Sequence, residues 1–174
     1  MITEIDGDLL DFPNGVDVLF HQANCQNVMG AGIAAQIKQR YPAAFKADAD
    51  CGPKGSCRLG KFSVAKVNDD PRRFIFNLYG QKTIGGDRST NYEAIYEAMD
   101  RAFHLLETNI LEHGGTFHVG IPHKMSCALA GGDWRILRAM IEVLVDKYKI
   151  PVTIVKYNKI AKHENQRNSL QAQH

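Results

Sequence analysis

Residues 21–37 read HQANCQNVMGAGIAAQI, and this stretch predicts a strand that passes through a glycine loop into a helix. The apolar run 16–20 comes directly before it, as expected of a strand that is buried on both faces. Gly30 and Gly32 then precede apolar residues with helical spacing. Glycines at a helix N-terminus leave backbone N–H groups accessible to a phosphate, so the pattern indicates a phosphate-binding loop. The alternative is that both glycines only shape a tight connection.

Composition bounds the class of protein. The chain has 174 residues, of which 44% are hydrophobic and 23% charged, and this fits one globular domain. The formal net charge of +2 is too small to indicate a surface for a long polyanion. Neither a membrane-spanning apolar run nor a signal peptide stands out, so we expect a cytoplasmic protein.

The four cysteines do not have the spacing of a zinc knuckle. Cys51 and Cys57 flank a glycine-rich loop that could bring them close, but a metal there would need two further ligands. We therefore expect reduced thiols, and neither a metal nor a cofactor.

Strands alternate with helices along the chain. Strands are predicted at 1–5, 16–20, 61–67, 73–79, 116–122 and 152–157, and helices at 33–41, 43–49, 91–113 and 137–148. The strands 61–67 and 73–79 flank a turn at 68–71 and are predicted to pair antiparallel. This order predicts a three-layer α/β/α sandwich with a mixed, mostly parallel sheet. Ligands of such sheets bind at the carboxyl ends of strands, where polar loops follow Phe20, Tyr79 and Ile121.

Three motifs in this order resemble the macro domain, an ADP-ribose-binding family. They are GDLL at 7–10, HQANC at 21–25 with MGAGIA at 29–34, and LAGGDW at 129–134. The resemblance covers about residues 1–157, which we take as the domain, and leaves 158–174 as a polar tail. The most similar branch contains ADP-ribose 1″-phosphate phosphatases and ADP-ribosyl-ester hydrolases.

The resemblance implies roles for individual positions. Asp8 would accept a hydrogen bond from the adenine amino group, Leu9 would cover the ring, and Asn24 would bind hydroxyls of the distal ribose. Asp8 also follows a turn glycine, so turn chemistry is its alternative role. The first loop, with Met29, Gly30, Ala31, Gly32 and Ile33, would contact the diphosphate and the distal ribose. The second, with Ser126, Cys127, Ala128 and Leu129, would close over the diphosphate from the other side.

Two residues are candidates for catalysis by the same resemblance. Asp133 would orient or deprotonate a water, or orient His21, while His21 would stabilise the phosphoryl charge or protonate the leaving oxygen. The alternatives are that His21 is a structural histidine at a strand end and that Asp133 caps the following helix.

The sequence departs from the family pattern at two places. Ester hydrolases carry a lysine where this chain has Gln81, and the neighbouring Lys82 would point to the opposite face of a strand. The second loop usually has Gly-Cys-Gly where this chain has Ser126-Cys127-Ala128, although Ser126 could donate a hydrogen bond. His123, which precedes that loop, is either a further pocket group or a surface residue.

The leading hypothesis is therefore a metal-independent ADP-ribose 1″-phosphate phosphatase that acts as a monomer and does not associate with membranes. The second is a module that binds ADP-ribose or an ADP-ribosylated partner without turnover. The third is a hydrolase that uses Lys82 or Asp133 to remove ADP-ribose from modified protein or nucleic acid.

Overall fold

The computed structural model describes residues 1–67, 72–85 and 89–158. The predicted turn at 68–71 and residues 159–174 of the predicted tail lie outside the described residues.

Six strands form one sheet in the described part of the chain. They are β1 (Ile2–Gly7), β2 (Val18–Asn24), β3 (Phe62–Lys66), β4 (Phe74–Gln81), β5 (Val119–Pro122) and β6 (Val152–Tyr157), in the order β1-β6-β5-β2-β4-β3. Neighbouring strands run parallel except β3 and β4, which pair antiparallel as predicted. The mixed, mostly parallel sheet confirms the predicted fold class.

Helices cover both faces of the sheet. They are α1 (Gly32–Arg40), α2 (Pro42–Asp50), α3 (Tyr92–His113) and α4 (Trp134–Tyr148). On one face, Phe20 of β2 packs in a core with apolar residues of α3 and α4, such as Met99 and Ile141. Leu19 points to the opposite face and packs with Ile37 of α1 and Ala44 of α2. Successive residues of β2 thus alternate between the two helix layers, as the pleat of a strand requires.

The main difference from the sequence prediction is the length of β2. The apolar run ends at Phe20, but the strand continues to Asn24 because its residues go on pairing with β4. His21 and Gln22 therefore lie inside the strand and face opposite sides of the sheet. Among the described residues, no helix is both long and apolar enough to span a bilayer.

Candidate functional site

A cleft of about 580 Å³ opens at the carboxyl ends of the parallel strands. Its walls come from the segments that follow β1, β2, β4 and β5 and from the start of α1. Most of the predicted ligand-binding residues line it: Asp8, Leu9, Asn24, Met29, Gly30, Ala31, Gly32, Ile33, Gln81, Ser126, Ala128 and Leu129. The structure therefore brings the three predicted loops together at one site.

Asp8 lies where the cleft meets β1 and β6. Its Oδ1 accepts a hydrogen bond from the backbone N–H of Leu10 at 3.0 Å, and the guanidinium of Arg40 lies 3.7 Å from Oδ2. Tyr157 pairs with Gly7 in the sheet register and also lines the cleft. A carboxylate and an aromatic side chain in one cleft suit a planar base that carries an amino group.

The N-terminus of α1 lines the cleft. Ala31 is the N-cap residue and has no side chain that could cap the helix, and Gly32 begins the helix with a φ of +56°. Both residues line the cleft, so the first N–H groups of the helix have no capping side chain and lie beside the open space. Such N–H groups and the helix dipole attract a phosphate.

Asn24 folds the loop between β2 and α1. Its Oδ1 accepts hydrogen bonds from the N–H groups of Gln26 at 3.0 Å and Val28 at 3.3 Å, and its Nδ2 donates to the carbonyl of Val28 at 2.7 Å. Of its two amide hydrogens, one has a partner among the described residues. A ligand hydroxyl would therefore meet the remaining N–H rather than the oxygen of Asn24.

The loop after β5 is held in a strained conformation. Lys124 and Ser126 have positive φ values of +57° and +67°, which non-glycine residues rarely adopt. The carbonyl of Ser126 accepts hydrogen bonds from the N–H of Gly132 at 2.8 Å and from the hydroxyl of Thr90 at 3.2 Å. A Cβ at position 132 would come within 2.8 Å of that carbonyl oxygen, so only glycine fits there.

Neutral side chains line the cleft at the ends of β2 and β4. The hydroxyl of Ser126 donates to Oε1 of Gln22 at 2.5 Å, and Nε2 of Gln22 lies 3.5 Å from Oε1 of Gln81. Nε2 of Gln81 donates to the hydroxyl of Ser89 at 2.8 Å. We call Gln22, Gln81 and Ser126 the cleft floor. It presents amide and hydroxyl groups but, within these three residues, no ionisable side chain.

His21 does not reach the cleft. It is fully buried, its Nε2 lies 2.7 Å from Oδ1 of Asn77, and its Nδ1 lies 3.1 Å from the carbonyl oxygen of Gln22. Burial lowers the pKa of the imidazole, because the charged form is poorly solvated there. The structure therefore does not place the side chain of His21 in the cleft, where the sequence analysis expects it to contact the ligand. The pleat of the extended β2 turns its side chain towards α2 and turns Gln22 towards the cleft.

Beneath α2, His21 belongs to a group of buried polar side chains that bond to one another. We call this group the α2 polar cluster; it consists of His21, Asp48, Arg58, Ser63, Asn77 and Tyr79. Arg58 donates to Asp48 at 3.0 Å, and the hydroxyl of Tyr79 donates to the same carboxylate at 2.8 Å. Asn27 in the loop after β2 donates to the other oxygen of Asp48 at 2.7 Å. The cluster thus anchors the loop that forms one wall of the cleft.

Asp133 also lies outside the cleft. It is the N-cap residue of α4, and its Oδ1 accepts a hydrogen bond from the N–H of Arg135 at 2.9 Å. The guanidinium of Arg135 binds the same carboxylate at 2.6 Å, and this hydrogen bond holds the pKa of Asp133 below its usual range. Asp133 lines a separate surface groove with Tyr96 and Met140. The geometry matches the helix-capping alternative, and it does not bring Asp133 together with His21.

Two other predicted residues lie beside the cleft rather than in it. Lys82 is exposed, and its carbonyl accepts a hydrogen bond from Nε2 of Gln26 at 3.0 Å. The thiol of Cys127 donates to the carbonyl of Met125 at 3.2 Å. All four cysteines are unpaired thiols, and burial raises the pKa of Cys25 to about 11. The described residues hold no group of three or more metal-ligating side chains.

Sequence reasoning did not identify Gln22 and Tyr157 as cleft residues, and it left His123 undecided. His123 lines the cleft and packs edge-on against Trp134. A strand extended by four residues beyond Phe20 would have placed Gln22 on the cleft side by alternation. Tyr157 had a signal too, since it ends the last predicted strand at the edge where ligands bind.

The chain is similar to known proteins in both sequence and fold. The family model described as Macro domain matches residues 20–141. The chain belongs to the macro domain family. An ADP-ribose 1″-phosphate phosphatase from Ajellomyces capsulatus is 54% identical over 46 residues, which is 26% of this chain and 18% of that protein. A DNA ADP-ribosyl glycohydrolase from Mycobacterium tuberculosis is 39% identical over 77 residues, 43% of this chain and 21% of that protein.

This macro domain matches about a fifth of the length of these two relatives. Among solved structures, the macrodomain of Mycobacterium tuberculosis DarG superimposes with a TM-score of 0.67 at 24% identity, over 90% of this chain and 98% of that one. At this level of identity the likeness shows a shared fold.

Proposed function

We propose that this macro domain, spanning residues 1–157, binds ADP-ribose in the cleft and hydrolyses ADP-ribose 1″-phosphate to ADP-ribose and phosphate. The observation that carries the proposal is the set of groups that line one cleft. They are the carboxylate of Asp8, the uncapped N-terminus of α1 and the neutral cleft floor. ADP-ribose contains a partner for each of them: a base with an amino group, a diphosphate and a terminal sugar.

Asp8 supports the adenine end of this placement. Oδ1 accepts the hydrogen bond from Leu10, and the guanidinium of Arg40 lies 3.7 Å from Oδ2. An ionised carboxylate only accepts hydrogen bonds, so it selects a base that presents an amino group. Tyr157 would cover the ring from the side of β6.

The names of the relatives support the position of the reaction. One relative is named an ADP-ribose 1″-phosphate phosphatase and the other a DNA ADP-ribosyl glycohydrolase, so both names describe hydrolysis of a group joined to ADP-ribose. In this chain, water would attack the phosphorus of the 1″-phosphate, the bond between phosphorus and the C1″ oxygen would break, and a proton from the water would pass to that leaving oxygen. Neither His21 nor Asp133 takes part. The same cleft would also accept ADP-ribosylated protein or nucleic acid.

A second candidate function is binding without turnover. It is favoured by the cleft floor, because Gln22, Gln81 and Ser126 offer hydrogen bonds but neither a general acid nor a general base. In either case we expect a cytoplasmic monomer.

The first experiment is calorimetry with ADP-ribose on the wild type, Asp8→Ala and Asp50→Ala. Asp8→Ala should weaken binding about tenfold or more, because it removes a charge-assisted hydrogen bond. Asp50→Ala is the matched control, since Asp50 is exposed on α2 and pairs only with Lys46 among the described residues. No binding by the wild type, or equal affinity in all three proteins, would contradict the proposal.

The second experiment separates the two candidate functions. Purified wild type is incubated with ADP-ribose 1″-phosphate, and release of inorganic phosphate is followed in the presence of a chelator. Release supports the phosphatase, and Gln22→Met should then slow it. Binding of ADP-ribose without any release selects the module that only binds.

A further inference from the structure

Ser126 occupies a backbone position that favours glycine. Its φ of +67° lies in the left-handed region, where a Cβ is disfavoured. The backbone contacts that fix this conformation, from Gly132 and Thr90 to the Ser126 carbonyl, do not involve its side chain. Glycine would make them equally well. The strained serine therefore requires an explanation in its hydroxyl.

The hydroxyl is directed by Gln22. It donates to Oε1 of Gln22 at 2.5 Å, so its proton points away from a ligand and its lone pairs remain as acceptors. Gln22 in turn presents Nε2, a donor, on the same stretch of the cleft, 3.5 Å from Oε1 of Gln81. Gly80 makes room for this arrangement, because a Cβ there would come within 2.8 Å of Oε1 of Gln22. An acceptor and a donor thus lie next to each other in fixed roles.

We propose that Ser126 Oγ and Gln22 Nε2 form a pair that recognises a hydroxyl group of the ligand's terminal sugar. The assignment rests on the proposed binding of ADP-ribose and adds a specificity determinant to it. A sugar hydroxyl donates to Ser126 and accepts from Gln22, so it satisfies both atoms. A deprotonated phosphate oxygen can only accept, so it meets the lone pairs of Ser126 unfavourably. The pair selects a sugar, rather than a further phosphate, beyond the diphosphate.

The test is the ratio of affinities for ADP-ribose and ADP, measured by calorimetry on the wild type, Ser126→Ala, Ser126→Gly and Gln22→Met. ADP contains the base and the diphosphate but lacks the terminal sugar. Each variant should bind ADP-ribose about 3- to 10-fold more weakly than the wild type, as expected for one lost hydrogen bond, and ADP within about twofold. Gln22→Met keeps the length of the side chain and leaves position 126 unchanged.

Melting temperatures distinguish recognition from structural support. Ser126→Gly should melt at a higher temperature than Ser126→Ala, because only glycine relieves the left-handed backbone. Lys149→Gly is the matched control, since Lys149 has a φ of +56° at the end of α4, outside the cleft. It should also raise the melting temperature, but with the wild-type ratio of affinities.

The outcomes separate this inference from the proposed function. If the wild type binds ADP-ribose and the ratio is unchanged in Ser126→Ala and Gln22→Met, the recognition pair is wrong and the proposed function stands. Equal losses for ADP and ADP-ribose would likewise overturn the pair, because Ser126 would then only shape the loop. If the wild type does not bind ADP-ribose, both proposals fall.

Discussion

His21 and Gln22 are neighbours on β2, yet they belong to regions with opposite properties. His21 is part of the α2 polar cluster, in which buried side chains bond to one another. Gln22 is half-buried and is part of the cleft floor, which lines the open cleft. On β2, therefore, the residue with the more reactive side chain is structural, and its neutral neighbour lines the cleft. The imidazole, the buried carboxylate and the guanidinium are structural, while the cleft floor carries neutral amides and a hydroxyl.

The difference follows from burial. Within the described residues, every fully buried side-chain nitrogen and oxygen has a hydrogen-bond partner, and the carboxylate of Asp48 has three donors. A buried charge must be paired in this way to be tolerated. Groups at the cleft have no such requirement, because water can solvate them. Their hydrogen-bonding atoms can therefore remain available to a ligand.

The largest expected effect is on the α2 polar cluster. Asp48→Ala leaves the buried guanidinium of Arg58 without its carboxylate, which should lower the free energy of unfolding by about 3–5 kcal/mol. Urea denaturation measures this change, and Asp50→Ala on the same helix is the exposed control. A loss below about 1 kcal/mol would contradict the structural role assigned to the α2 polar cluster, because Arg58 would then not depend on the carboxylate of Asp48.

Methionine placed at position 21 or at position 22 separates the roles of the two neighbouring residues. His21→Met removes the donor to Asn77 and should cost about 1–3 kcal/mol of stability, while the folded protein keeps its affinity for ADP-ribose. Gln22→Met should keep most of its stability and lose affinity. Urea denaturation gives the stability of each variant, and calorimetry gives its affinity for ADP-ribose. If His21→Met lost affinity for ADP-ribose and Gln22→Met did not, His21 rather than Gln22 would be the residue that contacts the ligand.

The fold could be predicted from periodicity, but the face of each β2 residue could not. Apolar stripes of α3 and alternation in β3 determine those elements locally. The end of β2 depends instead on pairing with β4, where Ala23 and Asn24 bracket a register irregularity. The polar residues 21–24 give no local sign that the strand continues. Shifting the strand end by a few residues decides whether His21 or Gln22 faces the ligand.

The parts of the candidate site that consist of backbone groups could be predicted from the sequence. The parts that depend on contacts between side chains could not. Gly30 and Gly32 predict the start of α1, because they come directly before apolar residues with helical spacing. The role of Ser126 depends on a contact with Gln22, 104 residues away in the chain. No local pattern encodes such a contact.

A third prediction uses pH. Burial lowers the pKa of His21 in the folded state below its ordinary value of 6.5, so the unfolded chain binds a proton more readily. The stability that the neutral ring contributes is therefore complete above pH 6.5 and is lost as the pH falls through the lower, folded-state pKa. For one proton the slope is at most about 1.4 kcal/mol per pH unit. Urea denaturation between pH 7.5 and 5 should give a shallower slope for His21→Met than for the wild type.

His118 must be separated from this effect. Its pKa is also lowered by burial, so it contributes a slope of the same sign. His118→Gln should remove only that part, and the double variant should be nearly independent of pH in this range. An unchanged slope in His21→Met would mean that the pKa of His21 is the same in the folded and unfolded states. A steeper slope would show that the ring is charged in the fold, with both nitrogens donating to Asn77 and to the carbonyl of Gln22.

The smallest expected effect concerns Asp133, the second residue that sequence reasoning assigned to catalysis. As the N-cap residue of α4, it satisfies the N–H of Arg135. Asp133→Ala should lower the melting temperature by about 3 °C and leave phosphate release unchanged. Asp133→Asn keeps a capping oxygen and should melt close to the wild type. A general base would behave in the opposite way, because an amide cannot take a proton from water, so both variants would be equally inactive. Thermal melts and phosphate release on the same samples decide whether this carboxylate acts on the helix or on the substrate.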